Sequence, residues 1–145
     1  MPKTKLKKLF DKAWKLMSQY IKLRDSDWRG YAKCCSCGKT IEAFTSKAHA
    51  GHYRHGYLDF NEVNINLQCN HCNTFKGGQL DTYTLFLTRK HGIEVIEELD
   101  KAFHEHKLKH DQTGKKYTEQ ELLDTIELLK EKINELKQHT LIRKV

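Results

Sequence analysis

Two Cys-x-x-Cys pairs limit what this chain can fold into more than any other feature. Cys34 and Cys37 form the first, within CCSCG, and Cys69 and Cys72 form the second, within CNHC. Each spacing lets two thiolates reach one ion from a single tight turn, and Gly38 relaxes the backbone of the first turn. Four thiolates complete a tetrahedral zinc shell, so the expected ion is structural and leaves no open position for chemistry. Cys35 cannot readily share the geometry that Cys34 and Cys37 satisfy together, and it stays outside the ligand set. Five cysteines is an odd number, and the paired spacing favours metal over disulfides in a reducing compartment. A clip of this kind contributes on the order of 10 kcal/mol to folding. That matters here because hydrophobic residues make up only 38% of the 145-residue chain.

The 31 residues between Cys37 and Cys69 exceed the roughly 15–20 of a simple zinc ribbon, so something is inserted between the two knuckles. The stretch KAHAGHYRHGYLDF predicts a short hairpin turning around RHGYLD. The segment NTFKGGQLDTYTLFLTRKHG predicts a helix starting near Asn73. Strand, strand and helix, pinned by a metal at both ends, form a scaffold able to hold a few polar side chains in fixed relation.

Charge is unevenly spread along the chain. Residues 1–33 hold ten Lys/Arg and three Asp, whereas residues 92–145 hold ten basic and twelve acidic residues, so the first segment carries the +7 excess. Leu6, Phe10, Ala13, Trp14, Met17 and Ile21 recur at helical spacing in that segment. Lys5, Lys8, Lys12 and Lys15 fall largely off the apolar stripe and form either a solvated face or a grip on a phosphate backbone. Near the other end, Thr118 and Glu121 fit a capping box. Leu122, Ile126, Leu129, Ile133 and Leu136 then form a short heptad seam. The seam packs on its own domain or on a second copy of the chain. Ile93, Ile96, Leu99 and Phe103 predict a shorter helix. HEHKLKHDQTGKK reads as an exposed loop with three solvated histidines. No apolar run approaches the roughly eighteen residues of a membrane span, and the opening MPKTKLKKLFDKAW lacks a signal-peptide core, so an intracellular protein is expected. The expected organisation is a basic helix and lead-in over 1–33, a four-cysteine core over 34–91 and a helical segment over 92–145.

The pattern GHY…NINLQCNHCNTFK resembles the HNH, or His-Me finger, nucleases, and its C-N-x-C-N element is similar to the phage resolvase endonuclease VII. Over about residues 20–136, AGHYRHG, LDFNEVNINLQCNHCN, KGGQLDTYTLFLTRKHGIEVIEELD and KKYTEQELLDTIELLKEKINEL resemble the NinG (Rap) family of phage recombination proteins. The resemblance implies an α+β fold: a zinc-stapled ββα-metal core flanked by helices. It also implies a metal-dependent endonuclease acting on branched DNA such as D-loops and four-way junctions, in the cytoplasm of a bacterial host.

By the same resemblance His52 is the general base, a role suited to a neutral imidazole near pH 7. Asn64 braces the loop that orients it. Asn73, directly after the fourth cysteine, offers an amide oxygen to a catalytic Mg²⁺ or Mn²⁺. Lys76 and Arg54 contact phosphate. Many relatives carry an Asp immediately before the catalytic histidine as a second metal ligand, but this chain has Gly51. His49 replaces it only if the strand is bulged, because residues three apart on a regular strand face opposite ways. The preferred alternative is an ion held weakly by Asn73, substrate phosphates and water. Two other functions fit the residues: a general HNH nickase or restriction-type nuclease, and a non-catalytic zinc-ribbon DNA-binding module.

Overall fold

The structure is a computed structural model that describes residues 2–143, with side chains described through residue 139. Met1, Lys144 and Val145, at the outer ends of the two flanking segments, lie outside the described residues. The fold is α+β, with four α-helices and two small antiparallel sheets among the described residues. Helix α1 spans Lys5–Asp25, capped by the Thr4 hydroxyl, which accepts from the Lys7 N–H. Strands β1 (Tyr31–Lys33) and β2 (Thr40–Glu42) form a hairpin that carries the first cysteine knuckle. Strands β3 (Ala48–His52) and β4 (Ile65–Cys69) form the second sheet. A π-helical turn, His71–Phe75, follows the sheet. Helices α2 (Leu80–His91), α3 (Val95–His110) and α4 (Glu119–Arg143) complete the chain.

The expected hairpin around RHGYLD does not form. β3 pairs instead with Ile65–Cys69, all of whose residues are buried, and RHGYLD becomes part of the connecting loop. Burial of Ile65 and Leu67 in the core outweighs local turn chemistry. The helix expected near Asn73 is interrupted. The π-helical turn ends at Phe75, Gly77 and Gly78 take positive φ values of 58° and 86°, and α2 begins at Leu80. Such backbone is easily reached only without a side chain.

HEHKLKHDQTGKK is not one exposed loop either. α3 continues to His110, which is 3% exposed, and only His104 of the three histidines is fully exposed. The pairing of His110 with Glu121, 3.0 Å apart, brings it inward.

Between its two expected roles, the heptad seam takes the first. α4 packs along α1. Leu129 and Ile133 join Met17, Ile21, Ile65 and Leu67 in one buried cluster, while Leu122 and Ile126 join Ala13 and Tyr117 in another. The apolar residues of the seam, the ones placed to meet a second copy, cover α1 of their own chain. The half-buried Arg24 guanidinium ties the end of α1 to β4, donating to the carbonyls of Glu62 and Ile65 and to Asn66 Oδ1. No helix among the described residues is long and apolar enough to cross a membrane.

Candidate functional site

The four expected zinc ligands meet. One sulfur from each of Cys34, Cys37, Cys69 and Cys72 lies within 4.8 Å of the others, and Cys37 Sγ is 3.8 Å from Cys69 Sγ. Each knuckle turns an N–H back on its first sulfur, Cys37 N–H to Cys34 Sγ at 3.5 Å and Cys72 N–H to Cys69 Sγ at 3.4 Å. Such donors stabilise thiolates, so the set fits zinc in both donor chemistry and arrangement. Cys35 points elsewhere, into a cluster with Leu58, Tyr83 and Leu87, and burial pushes its thiol pKa up.

Beside the clip lies a hollow of about 560 Å³ that takes in His49, His52 and Asn73 together with Trp14, Lys22 and Asp59. His52 ends β3. Its Nε2 is 2.8 Å from Asp59 Oδ1, and Trp14 of α1 stacks on its ring. Asp59 is buried in the β3–β4 loop. Its other oxygen lies 2.9 Å from the Tyr117 hydroxyl and 3.3 Å from Lys116 Nζ. Burial would raise the Asp59 pKa, but the hydrogen bonds from His52 and Tyr117 and the charge of Lys116 outweigh burial and hold it below the usual value.

Asn64, fully buried, pins the loop between His52 and Asp59. Its Oδ1 accepts the Arg54 N–H at 2.9 Å, and its Nδ2 donates to the carbonyls of Arg54 and Leu58. Asn66 is also buried, donating to Tyr83 and the Val63 carbonyl.

His49 reaches the hollow without the bulge it was expected to need. The β3–β4 register is unbroken from Ala48 to His52, yet His49 Nδ1 lies 3.0 Å from Asn73 Nδ2. Two-stranded ribbons twist strongly, so residues three apart need not stay on opposite sides of a flat plane. The π-helical turn carries Asn73 onto His49. At Gly51 the packing leaves no room for a side chain. A Cβ there would stand 1.8 Å from Gln68 Oε1, so the buried Gln68 fills the space.

The expected phosphate contacts scatter. Lys8, Lys12 and Lys15 are exposed on α1, whereas Lys5 pairs with Glu119. Arg54 is held by Asp100 and lies over Phe103. Lys76 lies apart from His52, in a second hollow beside the clip with Lys39 and Lys47. Sequence reasoning missed Asp59, Trp14 and Lys22. The nearest signal was Asp59 itself, one of four acidic residues in 34–91.

Fold and site together define a small α+β protein built on a four-cysteine clip suited to zinc. The chain belongs to the NinG family, since the family model described as Bacteriophage Lambda NinG protein matches residues 2–139. It is 34% identical over 99 residues to "Protein ninG" of Escherichia phage lambda, covering 66% of this chain and 45% of that protein. The corresponding figures are 33%, 66% and 45% for "Protein ninG" of Salmonella phage P22, and 33%, 66% and 46% for that of Escherichia phage 933W. The chain thus spans just under half the length of these curated relatives. No solved structure matches it.

Proposed function

We propose that this protein is a metal-dependent endonuclease of the HNH type, cutting phosphodiesters in branched DNA during phage recombination in the bacterial cytoplasm. The observation that carries the reading is the hydrogen bond from His52 to Asp59, in the same hollow as His49 and Asn73. With Nε2–H donated to the carboxylate, Nδ1 of His52 keeps its lone pair and can take a proton from an attacking water. The Asp59 carboxylate then stabilises the imidazolium that forms.

His49 and Asn73 fit a divalent ion, because a half-turn of the carboxamide sets its oxygen beside the His49 nitrogen. An ion held there supplies Lewis-acid stabilisation of the leaving 3′ oxygen. One imidazole in the donor set makes Mn²⁺ as suitable as Mg²⁺. Asn64 holds the loop joining base and carboxylate. Lys22 offers positive charge at the hollow, Lys8, Lys12 and Lys15 offer it elsewhere on α1, and Lys76 offers it beside the clip. Arg54 and Lys5 reach phosphate by exchanging their present carboxylate partners.

The test incubates purified wild type and His52→Ala with labelled linear, D-loop and four-way DNA, with and without Mg²⁺ or Mn²⁺. Wild type should cut the branched substrates only with metal, while His52→Ala binds them and does not cut. Binding without cleavage by wild type under all conditions leaves a non-catalytic DNA-binding module. Equal cutting of linear and branched DNA leaves a general nickase.

A further inference from the structure

α3 and α4 bring a second set of metal-ligating groups together, none of them shared with the cysteine clip or the His52 hollow. His106 and His110 lie one turn apart on α3, and Glu121 lies in the first turn of α4. One ligand atom from each falls within 4.8 Å of the other two. His110 is 3% exposed, and its Nε2 stands 3.0 Å and 3.2 Å from the two Glu121 carboxylate oxygens. The half-buried His106 ring is centred 4.4 Å from that of His110, and its Nε2 faces the Lys116 carbonyl at 2.6 Å.

We propose that His106, His110 and Glu121 bind one divalent transition-metal ion, with zinc the best-fitting occupant. Two imidazoles and a carboxylate are a donor set zinc accepts, with water in the fourth position. The imidazoles disfavour Mg²⁺ and Ca²⁺, which take oxygen ligands. Residues four apart on a helix share a face, so both rings approach the ion from one side. Ligand atoms around tetrahedral zinc, with bonds of about 2.0–2.1 Å, stand roughly 3.3 Å apart.

Glu121 is already held in place, because its Oε1 accepts the Thr118 N–H at 3.0 Å in the α4 capping box. A simple ion pair accounts for His110 beside Glu121. The His106 imidazole also comes within 4.8 Å of that pair while bonded to the Lys116 carbonyl. The ligands also bracket Lys116 and Tyr117, whose side chains contact Asp59. An ion here therefore fixes the segment that reaches the His52 hollow.

The test is metal stoichiometry on untagged protein equilibrated by dialysis against buffered zinc. Wild type should bind two zinc ions per chain. The His106→Ala/His110→Ala double variant should bind one. So should Glu121→Gln, which keeps an acceptor for the helix cap. Cobalt loading supplies a second readout: thiolate-to-cobalt charge transfer reports the clip alone and should be unchanged in both variants, showing that they are folded. Wild type that saturates at one metal per chain with the thiolate band fully developed overturns the proposal. A second equivalent retained by both variants overturns it as well.

Discussion

The indole of Trp14 lies face to face with the imidazole of His52, ring centres 4.7 Å apart and planes 17° apart. The basic first helix is thus a wall of the hollow rather than a separate arm. The exposed His55 also stacks near His52, with centres 5.0 Å apart. Partial desolvation, with the neighbouring His52 imidazole, holds the His55 pKa below its usual value. Aromatic packing and the Asp59 hydrogen bond together set the orientation of one imidazole.

Removing the stacked ring should disturb that orientation without touching the carboxylate. Trp14→Ala is expected to lower cleavage of four-way DNA by about 10²-fold, the scale of a misplacement near 1 Å. The salt dependence of DNA binding should be unchanged, because no charge is lost. Single-turnover rates and a salt titration of binding separate the two effects. A Trp14→Ala protein that cuts at the wild-type rate removes the indole from the catalytic account.

Asp59→Asn keeps a hydrogen-bond acceptor for His52 Nε2–H but removes the negative charge that stabilises an imidazolium. Cutting should fall by about 10²–10⁴-fold while DNA affinity stays near wild type. Parallel binding and cleavage assays check this. Equal losses in both would make Asp59 a structural residue only.

Zinc loss should unfold the region between the knuckles. A structural zinc contributes on the order of 10 kcal/mol, comparable with the whole stability of a small domain, about 5–15 kcal/mol. Cys72→Ser, or a strong chelator, should abolish the cooperative thermal transition followed by circular dichroism. Cys35→Ala should retain the cobalt–thiolate band, because its thiol lies in the apolar cluster around Tyr83.

The C-terminal seam stabilises the fold of its own chain. Ile133, 4% exposed against α1 and the β3–β4 sheet, should cost about 2–5 kcal/mol when changed to Ala. Urea unfolding measures the loss. Unchanged stability together with a shift in sedimentation would restore the seam to an interface between chains.

The cysteine clip was legible because two thiols two residues apart form a local unit, readable wherever the chain goes. The apolar stripe of α1, the capping box at Thr118 and the α4 seam were legible for a related reason: helical spacing states which residues share a face. The partner of that face was not legible, since a period carries no address, and only packing showed that the seam meets α1. The loop reading of HEHKLKHDQTGKK failed on the same ground. Polar composition suggested solvent, but Glu121 on the next helix offered the buried His110 a charged partner.

By itself, then, the sequence determined the four-thiolate set, the basic first helix and the candidate roles of His52, Asn64 and Asn73. Only the tertiary structure decided that Asp59 holds His52, that Trp14 covers it and that His49 stands against Asn73. Asp59 meets Tyr117 across 58 positions, and no local rule of spacing or propensity specifies a contact that the folded core alone brings together.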